Sequence, residues 1–386
     1  MTDPILLTPG PLTTAAETRQ ALLHDWGSWD GDFRALTARV RARLLDIVGA
    51  AGTHACVPIQ GSGTYAVEAA LGTLVPRGGK VLVLSNGAYG RRMVRTCAVI
   101  GRAHAVYETP EDAPPDPAAV AARLRADPAI THVGAIHCET GTGLLNPLAA
   151  IAAAVAGAGR ALIVDAMSTF GSLPLDPVRL PAQAVVASAN KALEGVPGFG
   201  FVIAERGALA AAAGNAHSLS LDLHDQWAYM ERSGQWRFTP PTHVVAALDR
   251  ALDLHAAEGG TAARGARYAR NCAVLVEGMR RLGFTTFLPD ALQAPVIVTF
   301  HTPRDPAYRF DAFYDALKRR GYIIYPGKTT DLDTFRIGCI GALDEGHMHG
   351  VVAAVAAALA ELGVTDLTPA GPGGPEAART APAMPS

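Results

Sequence analysis

Five short aliphatic and β-branched runs, separated mostly by alanine-rich stretches of helical spacing, constrain this 386-residue chain more than any other feature. The runs are 80–85 (KVLVLS), 133–138 (VGAIHC), 161–165 (ALIVD), 184–188 (AVVAS) and 200–204 (GFVIA). Residues 65–74, 118–125 and 148–156 show the helical spacing. A strand that is apolar along its whole length is buried on both faces, so this alternation specifies an α/β fold: a mostly parallel central sheet flanked by helices. Ligands bind such sheets at the C-terminal ends of the strands. A polar residue that closes an apolar run therefore carries more weight than one inside a helix.

The pattern changes after about residue 250. A long helix is expected over 262–282, a shorter one over 310–320, and apolar runs at 295–300, 322–325 and 335–340, which together read as a smaller α+β domain. The expected organisation is an N-terminal arm (1–18) packing with the small domain, a large domain (19–255), the small domain (256–365) and a tail (366–386). The tail is rich in Pro, Gly and Ala and reads as disordered.

A net charge of −2 leaves no electrostatic footprint for nucleic acid. The densest basic group, Arg39, Arg41 and Arg43, reads as one face of a helix. Cys56, Cys97, Cys138, Cys272 and Cys339 lie far apart without a C-x-x-C pair, which points to free thiols in a reducing cytosol and to no metal site. The N-terminus lacks the basic and apolar pattern of a signal peptide. The alanine-rich segments 152–164 and 351–364 are shorter than the about 20 apolar residues a bilayer requires. A cytoplasmic protein is expected, with neither membrane nor nucleic-acid partner.

Lysine is scarce: Lys80, Lys191, Lys318 and Lys328 are the whole set, and every other basic residue is arginine. Lys191 closes the run 184–190. Lysine, unlike arginine, can lose its proton and form a Schiff base with a carbonyl. Asp165 closes the preceding run, 26 residues earlier. Upstream, Gly61-Ser62-Gly63-Thr64 precedes a helix, where small residues and hydroxyls at a helix start suit an anion. An ordinary capped helix is the alternative there, as a turn aspartate and a solvated lysine are for the other two. An anion cradle, an acid and a lysine at strand ends are together the minimum set for pyridoxal 5′-phosphate.

Arg336, inside the run 334–338, is costly to bury without an anion. It suits a bidentate clamp on an acidic substrate group, with a structural ion pair as the alternative. Lys328 follows a Pro-Gly turn and reads as a loop residue near the site. His137, Cys138 and Glu139 close another strand but lack a third partner for a metal or nucleophilic centre.

Ten segments in order, from Leu7-Thr8-Pro9-Gly10-Pro11-Leu12 through Ser188-Ala189-Asn190-Lys191 to Phe335-Arg336-Ile337-Gly338, resemble the class V aminotransferases of the fold-type I pyridoxal phosphate enzymes. The similarity runs from Leu6 to about Leu362. It implies that Lys191 carries the cofactor and shuttles a proton, and that Asp165 holds the ring nitrogen. It implies further that Ser62, Gly63 and Thr64 bind the phosphate, with Asn190 near it, that Tyr89 stacks on the ring and that Thr140 lies near the ring oxygen. Thr239 is expected to reach the phosphate site of a neighbouring subunit, which makes a homodimer the working unit, and Arg336 to bind the substrate's acidic group.

Within the class, the segments look most like the branch that exchanges an amino group between 2-aminoethylphosphonate and pyruvate. Alternatives are an alanine–glyoxylate or serine–pyruvate type transaminase, a lyase or desulfurase using Cys339, and a non-catalytic scaffold. Two departures stand out. Gly141 replaces a hydroxyl residue, and Glu194 stands where glutamine is usual, so its charge is expected to weaken phosphonate binding.

Overall fold

A computed structural model describes residues 3–371. Seven strands form the main sheet: β1 (His54–Gly61), β2 (Lys80–Ser85), β3 (Ala103–Glu108), β4 (Ile130–Ile136), β5 (Ala161–Asp165), β6 (Ala184–Ser188) and β7 (Gly198–Glu205). Their order across the sheet is β1-β7-β6-β5-β4-β2-β3. Only β7 runs against its neighbours, pairing antiparallel with both β1 and β6. The strand ends at Gly61, Ser85, Ile136, Asp165 and Ser188 therefore all face one edge, where β7 begins.

Alternation along each strand divides the core between the faces. Leu82, Leu84, Leu162, Val164, Val185 and Ala187 point into one hydrophobic layer. Val81, Val83, Ile163, Ala184 and Val186 point into the other. This is why the central runs are apolar throughout.

Two strands lacked an apolar signature. β1 contains Pro58 and is an edge strand, where a missing N–H costs least. β3, the other edge, keeps one side open to solvent. The run 133–138 also divides: β4 ends at Ile136, and Cys138–Glu139 forms a short hairpin with Leu144–Leu145.

Helices α1 (Gly31–Ile47), α2 (Gly63–Leu74) and α3 (Ala88–Val99) cover this sheet. Arg39 and Arg43 reach Asp249 and Asp253, whereas Arg41 turns to the Cys56 carbonyl and Glu231. The three arginines do not share a face, because residues two apart on a helix point in nearly opposite directions.

Beyond α4 (Thr242–Glu258) and α5 (Gly260–Leu282), a three-stranded sheet is built from β8 (Ile297–His301), β9 (Tyr325–Pro326) and β10 (Thr334–Gly338). Phe300 and Phe335 stack at 5.5 Å within its core, with Phe284 and Phe313 edge-on to Phe335. The N-terminal pair Ile5–Leu6 runs parallel to Tyr322–Ile323, and Leu7 accepts from the Gly338 amide. Residues 366–371, assigned to the tail by composition, are instead held: Ala370 donates to Thr302, Pro369 bridges Pro303 and Asp366 pairs with Arg304. The rest of that tail lies outside the described residues. No helix among those residues is long and apolar enough to cross a membrane.

Candidate active site

The common edge of the main sheet opens into a cleft. Ser62, Gly63, Thr64, Tyr89, Thr140, Asp165, Asn190 and Lys191 line it together, although they come from five separate chain segments. Topology alone brings them there, since each follows or ends a strand running the same way.

At Ser62 the backbone is extended (φ −90°, ψ 172°) and α2 begins, yet the side chain makes no capping hydrogen bond. The first amides of α2 and the two hydroxyls beside them remain available to an anion. A Cβ on Gly63 would collide with Met167 Sδ, so glycine lets the helix start press against the turn after Asp165. Ser188, at the end of β6, also lines the cleft, and its buried hydroxyl has no protein partner. Such an orphan is costly unless a bound polar group satisfies it.

Burial raises the Asp165 carboxyl to about 6, against the Met167 amide at 3.0 Å and the charges of Lys191 and Arg92. Burial lowers Lys191, with Lys328 and Arg336 adding to the effect and Tyr89 and Asp165 opposing it. The Lys191 amine donates to the Pro9 carbonyl at 2.5 Å. Burial pushes the Tyr89 phenol up, but Lys191, Lys328, a Thr140 hydrogen bond and Arg336 together bring it below its ordinary value.

Arg336 is fully buried in β10. Its Nε donates to Pro326 O and its Nη1 to Thr140 O, each at 2.9 Å. No carboxylate lies within ion-pair distance of it among the described residues, so the structural ion pair is not the reason for the arginine. Arg336 lies against Tyr89 and is not part of the cleft lining. Thr239 is exposed and not part of the cleft lining.

Glu194 corrects an expectation. Its backbone is left-handed (φ 59°) and its carboxylate turns away from the cleft. It meets Arg267 at 2.8 Å, Arg264 at 3.4 Å and the Tyr268 hydroxyl at 2.6 Å. Two guanidinium groups neutralise it, so its charge does not confront an anion beside Lys191. Cys339 is buried in the small sheet's core and outside the cleft, unlike a mobile-loop nucleophile. No metal-ligating cluster occurs among the described residues.

Four residues near the site carried no role there in the sequence: Glu139, Arg92, Pro9 and Gly10. Glu139 is buried under the start of α3 and accepts from the amides of Tyr89, Gly90 and Gly141; burial lifts it to about 7. Arg92 lines the cleft, 3.4 Å from Thr64 Oγ1 and 4.9 Å from the Tyr89 ring. Its spacing of three from Tyr89 on one helix was the available signal. Pro9 and Gly10 belong to the first of the resembling segments, but their contact with Lys191 is purely tertiary.

The chain matches the family model for aminotransferase class-V over residues 26–329. It is 60% identical over 353 residues to a 2-aminoethylphosphonate–pyruvate transaminase of Pseudomonas fluorescens, covering 92% of this chain and 96% of the relative. Among solved structures it resembles pyridoxamine–pyruvate aminotransferase from Mesorhizobium loti (TM-score 0.85, 28% identity, 95% and 94% of the two chains). An alanine–glyoxylate aminotransferase from Nostoc sp. shares the fold (TM-score 0.87, 21% identity, 93% and 96%).

Proposed function

This chain belongs to the class-V aminotransferase family, and from that premise we propose that it transfers the amino group of 2-aminoethylphosphonate to pyruvate, releasing phosphonoacetaldehyde and L-alanine, with pyridoxal 5′-phosphate as cofactor. The observation that carries the reading is that Lys191 and Asp165 face one cleft walled by the uncapped helix start at Ser62–Thr64. The architecture is that of the fold-type I transferases.

Pyridoxal phosphate, when bound, supplies a carbonyl that an amine can attack and a ring that accepts electrons. Ser62, Gly63 and Thr64 would hold its phosphate through the helix start and the hydroxyls, with Asn190 in the same lining. Asp165 would keep the ring nitrogen protonated, and Tyr89 and Thr140 would line the space around the ring.

Lys191 is lowered by its surroundings, so its neutral amine is reached at lower pH than for an exposed lysine. That amine would take the proton from the donor's amine-bearing carbon and hold it at Nζ for return during the transfer. In the second half, with pyruvate, Lys191 works in the reverse sense. The donor carbon is oxidised from amine to aldehyde, the keto carbon of pyruvate is reduced to the amine carbon of alanine, and one water enters and one leaves. Arg336 binds the phosphonate in the first half and the carboxylate in the second. A second copy of the chain brings its Thr239 to the phosphate, so the working unit is a homodimer.

The test is to supply the purified, cofactor-loaded protein with 2-aminoethylphosphonate and pyruvate and to assay alanine and phosphonoacetaldehyde in equal amounts. Bound cofactor without alanine overturns the substrate assignment.

A further inference from the structure

Lys328 lies outside the machinery just described, yet the fold brings it to the same place. Tyr325 in β9 pairs with Arg336 in β10, and Lys328 follows β9 by two residues. Its Nζ stands 5.1 Å from the centre of the Tyr89 ring, the ring that walls the Lys191 cleft. The loop is pinned there. Thr330 donates its amide and hydroxyl to Glu111 at 2.9 and 2.7 Å, and Glu111 is itself paired with Arg91 at 2.6 Å. Glu111 thus anchors the loop while Arg91 matches its charge. Neither Lys328 nor Arg336 has a carboxylate within 4.0 Å among the described residues, whereas Lys80 is paired with Asp127 at 2.6 Å.

Two unmatched cations beside Tyr89, one of the residues that wall the cleft, exceed what a carboxylate needs. The two acidic groups that take turns there differ in charge: a carboxylate carries one, and a phosphoryl-type group close to two at neutral pH. The two cations differ in kind as well. Arg336 is buried and fixed by two carbonyls, so it meets both groups identically. Lys328 is an exposed point charge on a flexible stem.

We propose that Lys328 is a specificity-determining residue, joining Arg336 in a two-cation clamp whose second charge selects a phosphonate over a carboxylate on the same carbon chain. This rests on the phosphonate reading above.

The experiment compares 2-aminoethylphosphonate with β-alanine, which carries a carboxylate in place of the phosphonate, as amino donors in the holoenzyme. Wild type is measured first. If it is inert toward 2-aminoethylphosphonate but transfers from another amine, the substrate reading fails and the clamp with it. If it is active, Lys328→Met is expected to lose about tenfold in kcat/KM for the phosphonate, with β-alanine and pyruvate changed less than twofold. Lys328→Arg should retain most of the preference, and raising the salt should erode it in wild type but not in Lys328→Met. Equal losses on all three substrates, with lowered melting temperature or cofactor content, would mean a structural role. No change on any of them would remove Lys328 from recognition. Either result overturns the proposal while leaving the transaminase reading intact.

Discussion

The Lys191 amine donates to the carbonyl of Pro9, 182 positions earlier in the chain, at 2.5 Å. The N-terminal segment that supplies this carbonyl is tied to the small sheet through Leu7 and Gly338. The main sheet's lysine and the second sheet are therefore linked through one short segment, residues 7–9.

That contact makes Gly10 sensitive. A Cβ there would lie 2.7 Å from Lys191 Nζ, and the backbone is in the left-handed region (φ 121°). Gly10→Ala should displace the amine and reduce kcat by about 10²-fold, the cost of a misplacement near 1 Å. Steady-state kinetics beside a thermal melt will separate this from unfolding: the melting temperature should fall by only a few degrees.

Asp165 predicts a trade between stability and activity. Its folded value is raised from 3.8 to about 6. Stability from this group is complete below about pH 4 and is lost as pH rises through about 6. Above that, the cofactor-free fold carries a penalty of roughly 3 kcal/mol, from 1.36 kcal/mol per pKa unit. Asp165→Asn should raise the melting temperature of the cofactor-free protein at pH 7, with the difference vanishing near pH 4. The same variant should lose roughly 10²- to 10⁴-fold in transamination.

Glu194 should matter for stability and not for substrate choice. Glu194→Ala leaves Arg264, almost wholly buried, short of one of its two acids, and such losses cost about 3–5 kcal/mol. Glu194→Gln still accepts from Tyr268 and Arg267 and should cost less. Urea denaturation reports both effects, and the KM for 2-aminoethylphosphonate should stay within twofold of wild type for Glu194→Gln. A marked improvement in that KM would restore the expectation that the charge opposes the phosphonate.

Arg336 should be intolerant of even a conservative change. Lysine lacks the planar fork that bonds Pro326 O and Thr140 O while leaving donors for a ligand. Arg336→Lys should raise the KM for both pyruvate and 2-aminoethylphosphonate by about 10²-fold, in line with 2–5 kcal/mol for a buried charge contact. The visible spectrum of bound cofactor should not change.

Much of the site was legible because its residues close apolar runs. Asp165 and Lys191 end or follow strands, and Ser62–Thr64 open a helix; these are local patterns that need no knowledge of distant contacts. Neither Thr239 nor Arg336 is part of the cleft lining: Thr239 is exposed, and Arg336 is buried beside Tyr89 and the Thr140 carbonyl, placements that depend on contacts between distant segments. Glu139 and Arg92 were passed over, the first because a carboxylate beside His137 and Cys138 looked like an unfinished metal site. Its actual partners are the nearby Gly141 amide and the Tyr89 and Gly90 amides of α3, and the α3 contacts are ones that sequence spacing does not reveal.

By itself the sequence determined the mostly parallel sheet and marked Lys191 and Asp165 at the edge where its strands end, since apolar periodicity and strand ends are short-range properties. Only the tertiary structure decided where charges point: Glu194 away from the cleft toward two arginines, Arg336 toward carbonyls without an acid, and Pro9 onto Lys191. A buried charge is governed by whatever packs around it, and those neighbours come from segments far apart in the chain.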